Sequence, residues 1–112
     1  MRLLAIEREL PQPIHLNRTD LLRTEAAAIW DLQKRGIIRD LWLTKSGRRT
    51  ILMLECDSFV QARELIANLP RVRAGLLDFT VLELCTHDGC EQLFGTKAAS
   101  ATPARMEEPP EY

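Results

Sequence analysis

One acidic side chain in this sequence stands where a carboxylate could carry protons. Apolar residues recur at helical spacing between positions 21 and 32, and Glu25 falls near the middle of the stripe that they form. Burial disfavours the charged form of a carboxyl group, so a glutamate in such a place becomes a proton acceptor that works near neutrality. Glu25 is therefore our candidate catalytic residue. The alternative is a structural glutamate in an ion pair, for which Arg39 is the obvious partner.

Two further side chains could bind a substrate beside that carboxylate. Arg39 stands at the entry of a predicted strand, and its guanidinium group offers a fork that matches an anionic substrate. An arginine at a strand end more often lies in solvent. Trp42 follows three residues later and could form the wall of a pocket, although packing in the core is the commoner role of such a side chain.

Cysteine and histidine residues lie close together around the end of the last predicted strand. Cys85, His87 and Cys90 could be joined by His15 in a zinc site, but this spacing matches no standard zinc signature. The Asp88-Gly89 pair predicts a simple turn instead. The sequence also contains neither a phosphate-binding loop nor a nucleophilic serine motif. We therefore expect no metal and no other cofactor.

The composition describes an ordinary globular chain and limits its partners. The 112 residues are 46% hydrophobic and 28% charged, with a formal net charge of −1, which suits one domain with one core. That balance gives no electrostatic reason to expect nucleic acid or an anionic membrane as a partner. We recognise no signal peptide, and no apolar run approaches the roughly 20 residues that cross a bilayer. Three widely spaced cysteines favour a reducing compartment, so we expect the cytoplasm.

Periodicity and turn residues predict four strands and two helices in the order β-α-β-β-α-β. The predicted strands cover residues 2–9, 38–44, 49–55 and 78–85. The first helix ends at Gly36, and the second begins at a capping box, Ser58 to Gln61, and ends before Pro70. This order predicts an α+β, ferredoxin-like fold with both helices on one face of an antiparallel sheet. We assign residues 1–94 to this domain and 95–112 to a flexible tail with little apolar content.

The face of the sheet that the two helices leave bare is also predicted to be apolar. Residues 51–54 are apolar in succession, and Leu82 and Leu84 point away from the side of Phe79 and Val81. A sheet with one side in water should be polar on that side, so a second copy of the chain is expected to cover it. Alternatively, these residues line a ligand pocket or lie under the tail.

Several fixed spacings make this sequence similar to the muconolactone isomerase family. Glu25 is followed by Leu32-Gln33, Gly36, Arg39 and Leu41-Trp42, which resembles the family's "Glu…LQ-x-x-G-x-x-R-x-LW" run. Leu69-Pro70 and Leu84-Cys85-Thr86-His87 continue the agreement, which spans roughly residues 1–90. The chain departs from the family after Pro70, where Arg71 to Leu77 replace an aromatic-rich link.

The resemblance implies a dimeric α+β barrel, in which subunits pair face to face and sometimes assemble further. It implies an enzyme that moves a double bond in a small enol-lactone carboxylate, with Glu25 as the general acid and base. Arg39 and Trp42 would then shape or charge the pocket, and His87 would lie near its rim. Two hypotheses follow: an isomerase-like enzyme, or a non-catalytic dimeric module that binds a small molecule or a partner while Glu25 is locked in an ion pair.

Overall fold

The protein is described by a computed structural model that covers residues 1–11 and 18–95. The elements are β1 (Arg2–Glu9), α1 (Arg18–Lys34), β2 (Ile38–Leu43), β3 (Thr50–Glu55), α2 (Phe59–Ala67), α3 (Pro70–Arg73) and β4 (Leu77–Leu84), followed by a 3₁₀ helix over Gly89–Phe94. The predicted order of strands and main helices is confirmed, whereas α3 and the 3₁₀ helix were not foreseen. Of the predicted tail, residues 96–112 lie outside the described part.

The four strands form one antiparallel sheet in the order β2-β3-β1-β4. This order is that of the ferredoxin-like α+β fold, as the sequence predicts. Helix α1 contacts β2, and α2 and α3 both contact β4, so the helices cover one face of the sheet. No helix in the described ranges is long and apolar enough to cross a membrane.

Alternate residues of each central strand fill the core beneath the helices. Leu3 and Ala5 of β1 are fully buried, and Leu52 and Leu54 of β3 are almost so. Phe79 of β4 completes this layer. Side chains in a strand alternate between the two faces, so this set fixes which residues of the same strands point to the uncovered side.

A short helix, α3, connects α2 to β4. Ser58 accepts a hydrogen bond from the backbone N–H of Gln61 at 3.0 Å, so the predicted cap of α2 is confirmed. At the other end, α2 finishes at Ala67, before Pro70 as predicted, and Pro70 then occupies the first turn of α3. Leu69 before it is extended, as a residue preceding proline prefers to be, and proline's fixed φ suits a helix start.

The uncovered side of the sheet has an apolar centre and a charged border. One row across the strands runs from Leu82 through Leu4 to Met53, and the next contains Ile6 and Ile51. We call these five residues the apolar sheet face. Arg2 and Glu55, which form an ion pair at 2.8 Å, lie along one end of it. The sequence-based prediction of an apolar second face is therefore confirmed.

Candidate functional site

Glu25 lies on α1 with its carboxylate buried against the start of α3. Only 4% of the residue is exposed. Its Oε1 accepts a hydrogen bond from the backbone N–H of Arg71 at 2.9 Å, and its Oε2 lies 3.5 Å from Nε of the same residue. The predicted position of Glu25 on the buried side of the helix is correct.

The backbone contact has a simple origin in the short helix α3. The first amides of any helix lack partners inside it, and the N-cap residue Leu69 has no side-chain oxygen to offer. The carboxylate of Glu25 supplies the missing acceptor from a different helix, across 46 positions of sequence. Glu25 therefore has a structural role, which is to cap α3.

The second carboxylate oxygen of Glu25 and the Nε–H of Arg71 form no hydrogen bond among the described residues. In the described part of the chain, Oε2 of Glu25 and Nε of Arg71 are both buried and both without a hydrogen-bond partner. They lie at ion-pair distance from one another. One oxygen is thus anchored, while the second oxygen and a guanidinium donor are shielded from solvent and, among the described residues, make no hydrogen bond.

A groove of about 730 Å³ opens beside this pair, between α1 and β2. Glu25 and Arg71 line it together with Gln33 and Thr50. The rest of its wall is apolar or aromatic and consists of Leu22, Ala26, Ile29 and Trp30 from α1 and Leu41, Trp42 and Leu43 from β2. A concave, mostly apolar surface with a few convergent polar groups is the usual character of a small-molecule site.

Trp42 is a groove residue rather than a core residue. It lies on the edge strand β2 opposite Ile51, so that it borders both the groove and the apolar sheet face. Two thirds of it, 66%, is exposed. Trp30, which sequence reasoning did not single out, lines the same groove from α1, although its spacing beside Glu25 and Ile29 could have indicated it.

Arg39 does not meet Glu25. Its side chain is exposed and lies next to Gly36, beyond the C-terminal end of α1. A Cβ atom placed on Gly36 would lie 3.6 Å from Nη1 of Arg39. At about 1.5 Å per residue, the stretch from Glu25 to Gly36 spans roughly 16 Å. The hypothesis that Arg39 is the ionic partner of Glu25 is therefore wrong, because Arg71 takes that place.

His87 lies at the other end of the sheet from Glu25 within one chain. It follows the end of β4 where Leu84 pairs with Arg2, whereas Arg71 lies near the opposite end, where Leu77 pairs with Glu9. The His87 ring is exposed, and its Nδ1 accepts a hydrogen bond from the Gly89 N–H at 3.2 Å. One chain thus brings Glu25 and Trp42 to the groove, but neither Arg39 nor His87.

The cysteines next to His87 are exposed thiols. Cys85 and Cys90 are both accessible, and within residues 1–11 and 18–95 no three cysteine, histidine or acidic side chains are placed to hold a metal ion. His15, the fourth residue considered for such a site, lies outside the described residues. Cys56 is buried, and this burial raises the pKa of its thiol.

No protein-family model matches the chain, and no curated protein matches it in sequence. Among solved structures it is similar to muconolactone isomerase, with a TM-score of 0.68 and 22% identity over 80% of this chain and 93% of that one. The chain has the fold of muconolactone isomerase. It is also similar to 5-chloro-2-hydroxyhydroquinone dehydrochlorinase from Burkholderia phenoliruptrix, solved with 2,5-dihydroxybenzoquinone, with a TM-score of 0.57 and 18% identity over 79% of this chain and 97% of that one. The resemblance noted in the sequence is thereby confirmed for the fold.

Proposed function

We propose that this protein is a muconolactone isomerase-like enzyme that shifts a double bond within a small lactone or enol carboxylate. One observation carries the proposal: Glu25 is buried at the groove, one carboxylate oxygen is anchored, and among the described residues the other accepts no hydrogen bond. A positioned carboxylate of this kind is suited to general acid-base catalysis.

The proposed reaction uses Glu25 in both directions. Its Oε2 takes a proton from the carbon next to a carbonyl group, and the electron pair of the broken C–H bond passes into an enolate. The carboxylic acid so formed returns the proton at the far end of the conjugated system, which moves the double bond and restores the carboxylate. The net change is an isomerisation, and no redox partner is needed. Apolar groove walls support it by limiting access of water to the reactive proton.

A second copy of the chain is part of the proposal. The apolar sheet face is left uncovered by the helices, and exposing it would cost about 1.5–3 kcal/mol for each large side chain. Its apolar centre and charged border are the usual anatomy of an interface. Trp42 borders both this face and the groove, so pairing of two sheets would also close one rim of the site.

The deciding experiment follows hydrogen exchange in substrates incubated with the protein in deuterated water. We expect muconolactone, or another member of a panel of small lactones and unsaturated acids, to gain deuterium and to isomerise. The Glu25→Gln variant should lower the rate by about 10²–10⁴-fold, the usual contribution of a general base. Glu64→Gln on the exposed side of α2 is the matched control and should leave the rate unchanged. Equal rates in Glu25→Gln and wild type would remove Glu25 from the mechanism.

The alternative is a non-catalytic dimeric module that binds a small molecule. The ion pair between Glu25 and Arg71 favours it, because a carboxylate engaged with both the backbone and the guanidinium group of one residue can be purely structural. Under this alternative, ligands bind in the groove of the wild-type protein without any deuterium incorporation.

A further inference from the structure

Arg71 is the second charged residue of the groove, and its guanidinium group has an unused donor. The side chain is 24% exposed, and in the described part of the chain its buried Nε–H has no hydrogen-bond acceptor. Arg39, which the sequence favoured for binding an anion, is exposed at the far end of α1. Arg71 is therefore the guanidinium group that reaches the groove beside Glu25.

The spacing of the two side chains suits a carbonyl substrate. The carbonyl carbon of such a substrate is bonded both to the oxygen and to the carbon that loses its proton. Nε of Arg71 and Oε2 of Glu25 are 3.5 Å apart, so one can face the oxygen while the other faces the hydrogen. We propose that Arg71 is the oxyanion-binding residue of the groove, donating its Nε–H to the enolate oxygen; this inference rests on the proposed function.

The charges then balance along the reaction. In the resting protein the guanidinium group is held by the carboxylate of Glu25. When the substrate C–H bond breaks, the proton neutralises Glu25 and the negative charge moves to the substrate oxygen, which then takes the place of the Glu25 carboxylate as the anion beside the guanidinium group. Arginine stays charged throughout, and its contact to an ionised oxygen is stronger than one to a neutral carbonyl group. The contact thus favours the transition state over the ground state.

A binding experiment tests this role without any turnover. Tetronic acid is a five-membered lactone whose enol is largely ionised at neutral pH, so it resembles the enolate, and 2(5H)-furanone is a neutral counterpart. Binding is followed by tryptophan fluorescence, since the two tryptophans of the sequence, Trp30 and Trp42, both line the groove. Glu25→Gln imitates the protonated carboxyl group and can still accept the backbone N–H of Arg71.

We expect Glu25→Gln to bind tetronate at least about tenfold more tightly than wild type, with little change for the furanone. Adding Arg71→Gln or Arg71→Met to that variant should abolish the gain. Adding Arg73→Gln should preserve it, because Arg73 is the exposed arginine of the same helix. Two neutral replacements of Arg71 are used so that one poorly folded variant, detected by circular dichroism, does not decide the result.

Tetronate binding that is equally tight with and without Arg71 overturns the inference, as does the absence of any gain in Glu25→Gln. These outcomes are separate from the fate of the proposed function. If Glu25→Gln loses deuterium exchange but tetronate binding does not depend on Arg71, the isomerase proposal stands and only the role of Arg71 is removed. An Arg71-dependent gain in a protein that exchanges no substrate hydrogen keeps Arg71 as an anion-binding residue and removes the isomerase.

Discussion

Replacing Leu82 with glutamate should break the homodimer that we propose. Leu82 lies on the edge strand β4 opposite Leu4, at one end of a row of the apolar sheet face, and 45% of it is exposed in the single chain. A two-fold interface contains each residue twice. The substitution therefore removes two leucines from the interface and places two carboxylates there.

The size of the effect follows from burial. Because only 45% of Leu82 is exposed before pairing, each leucine that leaves the interface forfeits about 0.7–1.4 kcal/mol, or about 1.4–2.7 kcal/mol for the pair. At about 1.4 kcal/mol for each factor of ten, the dissociation constant should rise by about 10–10²-fold, before the cost of burying charge is added. A dimer whose dissociation constant is about micromolar would then be largely monomeric at micromolar concentration.

The assay is sedimentation velocity of the full chain over a range of concentrations. Val60→Glu is the matched control: Val60 is even more exposed, at 63%, but it lies on α2, on the opposite side of the sheet. We expect it to sediment as wild type does. A wild-type protein that is monomeric at micromolar concentration, or a Leu82→Glu variant that remains associated, would refute the argument from the sheet face.

Three further predictions concern single side chains. Glu25→Ala should be about 1 kcal/mol less stable to urea than Glu25→Gln, because only glutamine keeps an acceptor for the first amides of α3; equal stability would show that this cap does not matter. Hydrogen bonds from the N-terminal amine and then from Arg2 lower the pKa of Glu55 from 4.5 to about 2, so its contribution to stability is present above pH 4.5 and is lost as the pH falls toward 2. An NMR titration should show this low pKa, and Glu55→Gln should flatten the pH dependence of unfolding in that range. Iodoacetamide should modify the two exposed cysteines well before Cys56, whose thiol is buried and has a raised pKa, and mass spectrometry of the peptides would reveal any other order.

Local patterns in the sequence determined the secondary structure and one site residue. The order of strands and helices follows from apolar side chains that recur every 2 residues in a strand and every 3.6 residues in a helix, a pattern that depends only on neighbouring residues. The same reasoning placed Glu25 on the buried side of α1, since its position within the apolar stripe is a property of one helix. It also identified the apolar second face of the sheet, because residues 51–54 leave no side of β3 polar.

Only the tertiary structure decided which groups surround Glu25. Arg39 is nearer in sequence, but it lies at the start of β2, beyond the C-terminal end of α1, and the rigid helix keeps that end roughly 16 Å from Glu25. Arg71 is 46 positions away and reaches the carboxylate because Pro70 starts α3 at that point, which leaves a backbone amide in need of an acceptor. An irregularity in the pairing of β2 between Ile38 and Asp40 likewise sets where Trp42 lies. The sequence thus determined that a carboxylate is buried in this protein, and the packing of α1 against α3 determined that its partner is Arg71.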